Sequence, residues 1–180
     1  MLTVFACTAA FSGCANKPVS PLDQFATAQK TKIVEASFFD DANFIFSAAA
    51  YIPTLDDLAS LKQAWFEFGN SFPESSAISN VETETKKGPG QAVIVALFMT
   101  EYENADLRNK SMGWAVGPAP VTITELAERD VPLRTLMPIK NDWARYYLLT
   151  YPKDKFGNET APRTLIVSNR ISKVELKLAR

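Results

Sequence analysis

Apolar and polar positions alternate with a period of two over much of this chain, and turn-forming residues bound each alternating stretch. Ile33 to Phe39 stops at Asp40-Asp41-Ala42-Asn43, and Phe44 to Ile52 then runs apolar and aromatic to Pro53, which predicts a hairpin. Gln91 to Tyr102 follows Gly88-Pro89-Gly90 and holds the unbroken apolar run Val93 to Met99, the pattern of a central strand covered on both faces. Val121 to Leu126 opens with alternating Val121, Thr122, Ile123 and Thr124 and predicts another strand. Leu133, Thr135, Met137 and Ile139 share one face at period two, predicting a strand that Pro132 and Pro138 confine to an edge. Lys140-Asn141-Asp142 supplies a turn, and Trp143 to Tyr151 follows as a long aromatic strand stopped by Pro152. Leu165 to Val167 and the alternating Val174, Leu176 and Leu178 make a last pair around Ser168-Asn169-Arg170, with Lys173, Glu175 and Lys177 facing water. One segment has helical period instead. Leu58, Leu61, Trp65 and Phe68 form a stripe, Thr54 with Asp56 and Asp57 marks its start, and Gly69 stands where a cap would fall.

These seven or eight short strands predict a mainly β fold: a β-sandwich, in the manner of immunoglobulin-like or transthyretin-like domains, with one helix near 55–68. That analogy concerns architecture and carries no function. A length of 180 residues suits one domain, and 47% hydrophobic with 22% charged residues is a globular composition. No internal repeat or second linker interrupts residues 33–180, which read as a single β-rich domain.

The N-terminus has a different character. Met1 to Asn16 carries no charge, and Leu2 to Phe11 is apolar over the length of a secretory signal, well short of the ~20 residues that span a bilayer. It ends Phe11-Ser12-Gly13-Cys14 and turns polar at Ala15-Asn16-Lys17-Pro18. This resembles the lipobox of bacterial lipoproteins. The resemblance implies cleavage before Cys14, lipid attachment to its thiol, and an anchor in the membrane; Ala15 in the sorting position implies the outer membrane, facing periplasm or surface. Residues 1–13 are then a signal peptide and 14–32 a lipidated tether, whose 18 residues from 15 to 32 reach roughly 21–25 Å if flexible. The alternatives are an ordinary signal peptide cut nearby, or a buried N-terminal strand with Cys7 and Cys14 in a local disulfide.

Charge and composition narrow the chemistry. Lys plus Arg number 19 against 20 Asp plus Glu, with no like-charge block to track a phosphate backbone, so no nucleic-acid partner is expected. Histidine is absent, which removes the imidazole base, the imidazole metal ligand and every Ser/His or Cys/His triad. No cofactor, resident metal or catalytic residue is expected. Asp40, Asp41, Asp56, Asp57, Asp106, Asp130, Asp142 and Asp154 fall mostly in turns, where they are either oxygen ligands for calcium or ordinary turn and cap residues. Trp143, Arg145, Tyr147, Leu149 and Tyr151 alternate on one strand face, which serves either as a platform for sugars or a partner chain or as core with Arg145 at its rim. Trp114, between Gly113 and Gly117-Pro118, is a loop anchor or a contact residue. The candidate binding residues are therefore Trp114, Trp143, Arg145 and Tyr147. The expected function is a lipid-anchored, non-catalytic binding or assembly module of the cell envelope with a protein partner, such as a secretion or pilus-assembly lipoprotein. The rival readings are a carbohydrate-binding domain or carboxylate-dependent glycan hydrolase, and a plainly structural envelope protein.

Overall fold

The computed structural model describes residues 19–141, 143–153 and 163–178. The signal and lipobox-like segment, with Cys7 and Cys14, lies outside them, as do Asp142 and Asp154. Within them the protein is mainly β, with eight strands in two antiparallel sheets and four α-helices.

The hairpin forms as the pattern predicts: β1 (Val34–Asp40) pairs with β2 (Asn43–Tyr51), and Asp41 takes the left-handed backbone at φ 51° that the tight turn requires. A bulge interrupts the pairing between Phe38 and Phe39. The continuous apolar run becomes β3 (Ala92–Met99), the middle of a five-stranded sheet of order β1-β2-β3-β6-β5, with β5 (Thr122–Leu126) and β6 (Arg145–Thr150) on its far side. Because Cβ direction alternates, Val93, Val95 and Leu97 enter one core and Ala92, Ile94 and Ala96 another. The first core is shared with the second sheet, of order β4-β7-β8, made of β4 (Ala115–Gly117), β7 (Arg163–Ser168) and β8 (Lys173–Leu178). Val174, Leu176 and Leu178 point into it while Lys173, Glu175 and Lys177 stay exposed.

Helices fill the second core. α2 (Leu55–Glu67) starts on a capping box in which Thr54 and Asp57 satisfy each other's backbone N–H, and it buries Leu58, Leu61 and Ala64. It ends at Phe68, with Gly69 at φ 84° and hydrogen bonds from Gly69 N to Phe66 O and Asn70 N to Trp65 O closing the last turn. Phe68, expected on the buried stripe, is exposed because it lies past that turn.

Three further helices correct the expectation of one. Residues 133–139 are not an edge strand: α4 (Val131–Leu136) forms there, since the Asp130 carboxylate caps Leu133 N at 2.9 Å and Pro132 suits a first helical turn. α3 (Ser76–Lys87) starts at a Ser75 cap and buries Ala77, Ile78, Val81 and Thr85. Residues 21–30, within the segment read as tether, form α1 (Pro21–Lys30), which packs on α2 through Phe25 and Gln29.

Candidate functional site

Period-two alternation on β6 sends Arg145, Tyr147 and Leu149 to the face between the sheets, with Tyr151 continuing that face. Tyr147, Leu149 and Tyr151 are buried core; Arg145, nearest the sheet end, keeps 13% of its side chain exposed. Antiparallel pairing places Glu125 of β5 opposite Tyr147 and so beside Arg145. Arg145 donates from Nε to Glu125 Oε1 at 3.0 Å, bonds the same oxygen through Nη2, and lies 3.6 Å from Asp106 Oδ2. Arg108 completes a four-charge network, donating to Asp106 Oδ1 at 3.0 Å and pairing with Glu125. Burial alone would raise the Asp106 carboxyl, but the side-chain and backbone N–H of Arg108 and the charges of Arg145 and Arg108 hold it below the ordinary range.

Aromatic rings finish the cluster. The Arg145 guanidinium sits 5.0 Å from the centre of the Tyr102 ring, and Tyr102 donates its hydroxyl proton to Glu128. Burial, then the Glu128 bond, pushes Tyr102 up to about 12. Tyr147 is a strut rather than a contact residue: its hydroxyl donates to Ala105 O at 3.0 Å and accepts from Leu107 N at 3.3 Å, fixing the loop that carries Asp106 and Arg108. Trp114 is a second fastening for that loop. Its Nε1 donates to Asn104 O at 2.8 Å, and its ring meets Phe46 edge-on at 5.2 Å.

The result is an open recess of about 640 Å³ lined by Tyr102, Arg108 and residues 123–128, from within β5 to just past its end. Glu128 also borders a second recess of about 440 Å³, where Trp143, 72% exposed, stands with Arg129 and Arg134. Of the residues singled out from sequence, Arg145 lies in the charged cluster, Trp143 stands free beside it, and Trp114 and Tyr147 support it from within. Tyr102, Arg108, Glu125 and Glu128 were not singled out. Glu125 did carry a signal: it falls in phase with Ile123, so its carboxylate is aimed inward on a strand next to one bearing an inward Arg.

A second polar node ties helices together. Asp57, 4% exposed, accepts from Tyr51 Oη at 2.5 Å, Thr54 Oγ1 at 2.7 Å, Thr54 N at 3.0 Å and Gln29 Nε2 at 3.2 Å, and it pairs with Lys32. Burial raises the carboxyl, yet the bonds from Lys32, Tyr51, Thr54 and Gln29 outweigh it and hold Asp57 at about 2. Burial and the neighbouring carboxylate drive Tyr51 far above its ordinary value. Among the described residues no group of three or more acidic, Cys or His side chains gathers as a metal site, and no helix is long and apolar enough to cross a membrane. Neither a family model, a curated protein nor a solved structure matches this chain.

Proposed function

We propose that the protein is a lipid-anchored binding module of the bacterial cell envelope that engages a protein partner along the outer side of β5. The observation that carries this reading is the juxtaposition of an open recess on that strand with Tyr102, Arg145 and the exposed Trp143. Binding energy concentrates in Tyr, Trp and Arg side chains; here Arg145 stands on β6, Trp143 in the turn just before it, and Tyr102 in the segment after β3. Glu125 and Asp106 are committed to guanidinium groups, which favours a structural and recognition role for them over proton transfer. The Phe11-Ser12-Gly13-Cys14 segment supports the lipid anchor, with Cys14 as attachment site and the outer membrane as location. Secretion and pilus-assembly machines are assemblies that such a module would suit. For the fold, the core shared by the two sheets supports a β-sandwich of the immunoglobulin-like or transthyretin-like kind, extended by a helical layer on its outer face.

Pull-downs from envelope extracts with wild type, Tyr102→Ala and Trp143→Ala test the binding surface. Specific partners retained by wild type and lost from both variants are the expected result; an unchanged partner set in both would remove the β5 region from the function. A glycan-hydrolysis assay on the same preparations addresses the rival reading. Hydrolysis abolished by Glu125→Gln or Glu128→Gln in a folded protein would replace the binding module with an enzyme. Fatty-acid labelling tests the anchor: incorporation that Cys14→Ser abolishes is expected, and wild type without label would refute it.

A further inference from the structure

α1 changes the geometry of the anchor. The helix begins at Pro21 on a Ser20 cap, packs on the domain through Phe25, and is fastened at its far end where Gln29 and Lys32 meet Asp57. Most of the segment expected to be a free tether therefore belongs to the folded body. Only Ala15 to Pro18 separate Cys14 from Val19. Five links at ~3.3–3.6 Å each span at most about 18 Å, where 18 free residues could extend to roughly 60 Å. The headgroup layer takes up roughly 5–8 Å on each side of a bilayer, so a lipid on Cys14 keeps Val19 within about 10–13 Å of that layer's outer limit.

Strand pairing tells which end of the domain is held down. Asp57 receives the Tyr51 hydroxyl, and Tyr51 pairs with Ile94, so the C-terminal end of α1 lies where β3 starts. Its N-terminal end lies elsewhere. Leu22 and Asp23 line a groove with Val131, Arg134, Ile139 and Tyr146, and Tyr146 is the second residue of β6, paired with Ala96 toward the end of β3. Gln24 Nε2 donates to Val19 O at 3.0 Å and keeps Val19 at this end of the helix. Arg134 also borders the recess of Trp143 and Arg129. Val19 and Val131 are 60% and 57% exposed, and Trp143 is more exposed than either.

We propose that this end of the domain rests on the bilayer that holds the Cys14 lipid, with Trp143 at the level of the phospholipid headgroups. The inference rests on the lipid-anchor reading and deepens it by orienting the module on its membrane. An indole is apolar in body and polar at its N–H, which suits the headgroup level. Arg129 and Arg134 offer guanidinium N–H groups to phosphate oxygens. Asp23 and Glu128 border the same two recesses, so the face is balanced in charge. The anchor and the apolar side chains, rather than attraction to anionic lipid, hold it down. Val121 marks the opposite end, beside the Thr122–Thr150 pair. From Arg145 to Thr150 the strand runs about 17 Å at ~3.4 Å per residue. A protein partner that reaches Trp143 then binds beside the same membrane.

Tryptophan emission tests the orientation in the full-length processed protein, purified in detergent and returned to phosphatidylcholine vesicles brominated high on the acyl chains. Bromine quenches only indoles close to it, and Trp143 is one of three tryptophans. Relative to unbrominated vesicles, wild type is expected to lose emission that Trp143→Phe keeps. In the Trp143→Phe background, Val131→Trp is expected to restore the quenching and Val121→Trp is not. Fatty-acid labelling and flotation of the same samples separate the orientation from the anchor. Labelled, floating protein whose quenching is equal in wild type and Trp143→Phe overturns the orientation and leaves the anchor standing. Quenching of Val121→Trp as strong as that of Val131→Trp does the same. Wild type that neither takes up label nor floats with the vesicles removes the anchor, and the orientation falls with it.

Discussion

A guanidinium turned toward the interior of a sheet must find its charge matched within a few ångströms, because desolvation otherwise costs more than folding can offset. Arg145 finds Glu125 on the neighbouring strand and Asp106 on a loop that Tyr147 and Trp114 hold in place. Its two bonds to one oxygen of Glu125 come from different nitrogens of a planar fork, and the same plane lies near the Tyr102 ring. Lysine can supply the charge but neither the fork nor the plane. Arg145→Lys is therefore expected to lose about 1–2 kcal/mol in urea denaturation and Arg145→Ala somewhat more, since each leaves Glu125 and Asp106 under-satisfied. A loss in Arg145→Ala indistinguishable from that of an exposed control such as Lys173→Ala would mean that Arg108 satisfies both carboxylates alone. At this scale the sequence was partly legible. Arg145 at the rim of an aromatic strand follows from alternation, whereas its partners depend on which strands pair and on where the fifteen residues between β3 and β4 fold back, and no local pattern encodes either.

Elements were legible where one period dominates. β3 is continuous and apolar, β8 alternates cleanly, and α2 carries both a cap and a stripe, so each forms where the pattern placed it. Residues 131–139 fit two periods at once. Leu133, Met137 and Ile139 satisfy period two, while Leu133, Leu136 and Met137 satisfy a helical turn, and the Asp130 cap with Pro132 decides for the helix. α3 was hidden by its polarity: Ser76, Ser79, Asn80, Thr83, Lys86 and Lys87 fill its outer face, and only the spacing of Ala77, Ile78, Val81 and Thr85 betrays a buried side. The face of α2 gives a direct check. Leu61 has no exposed surface in the core between helices and sheet, so Leu61→Ala is expected to cost about 2–5 kcal/mol. Phe66, on the opposite face and 75% exposed, should change stability by no more than ~0.5 kcal/mol when truncated. Equal losses in chemical denaturation would show that Phe66 is covered in solution.

For the whole molecule, Asp57 is where the entering chain is fastened to the domain. Gln29 and Lys32 come from the end of α1 and the turn after it, Tyr51 from the end of β2, and Thr54 from the cap of α2, so one carboxylate joins the segment nearest the proposed anchor to both sheet and helix. Its charge must be present for this to work. The folded carboxyl sits at about 2 against an ordinary 3.8, so the native state binds fewer protons than the unfolded chain across that interval. The sign follows directly: the stabilisation is complete above about pH 4 and is lost as pH falls through 2, amounting to about 2 kcal/mol at ~1.36 kcal/mol per pH unit. Asp106 and Glu82, both held below their ordinary values, add to the same acid slope. Asp57→Asn keeps an acceptor for Tyr51 but loses the charge that Lys32 matches. It is expected to be less stable at pH 7 by an amount of that order and to show a shallower decline between pH 4 and 2. Urea midpoints for both proteins at pH 7, 4 and 2.5 decide the matter, since parallel curves would mean that other carboxylates carry the acid response and that α1 is held to the domain by Phe25 and its apolar contacts rather than by this node.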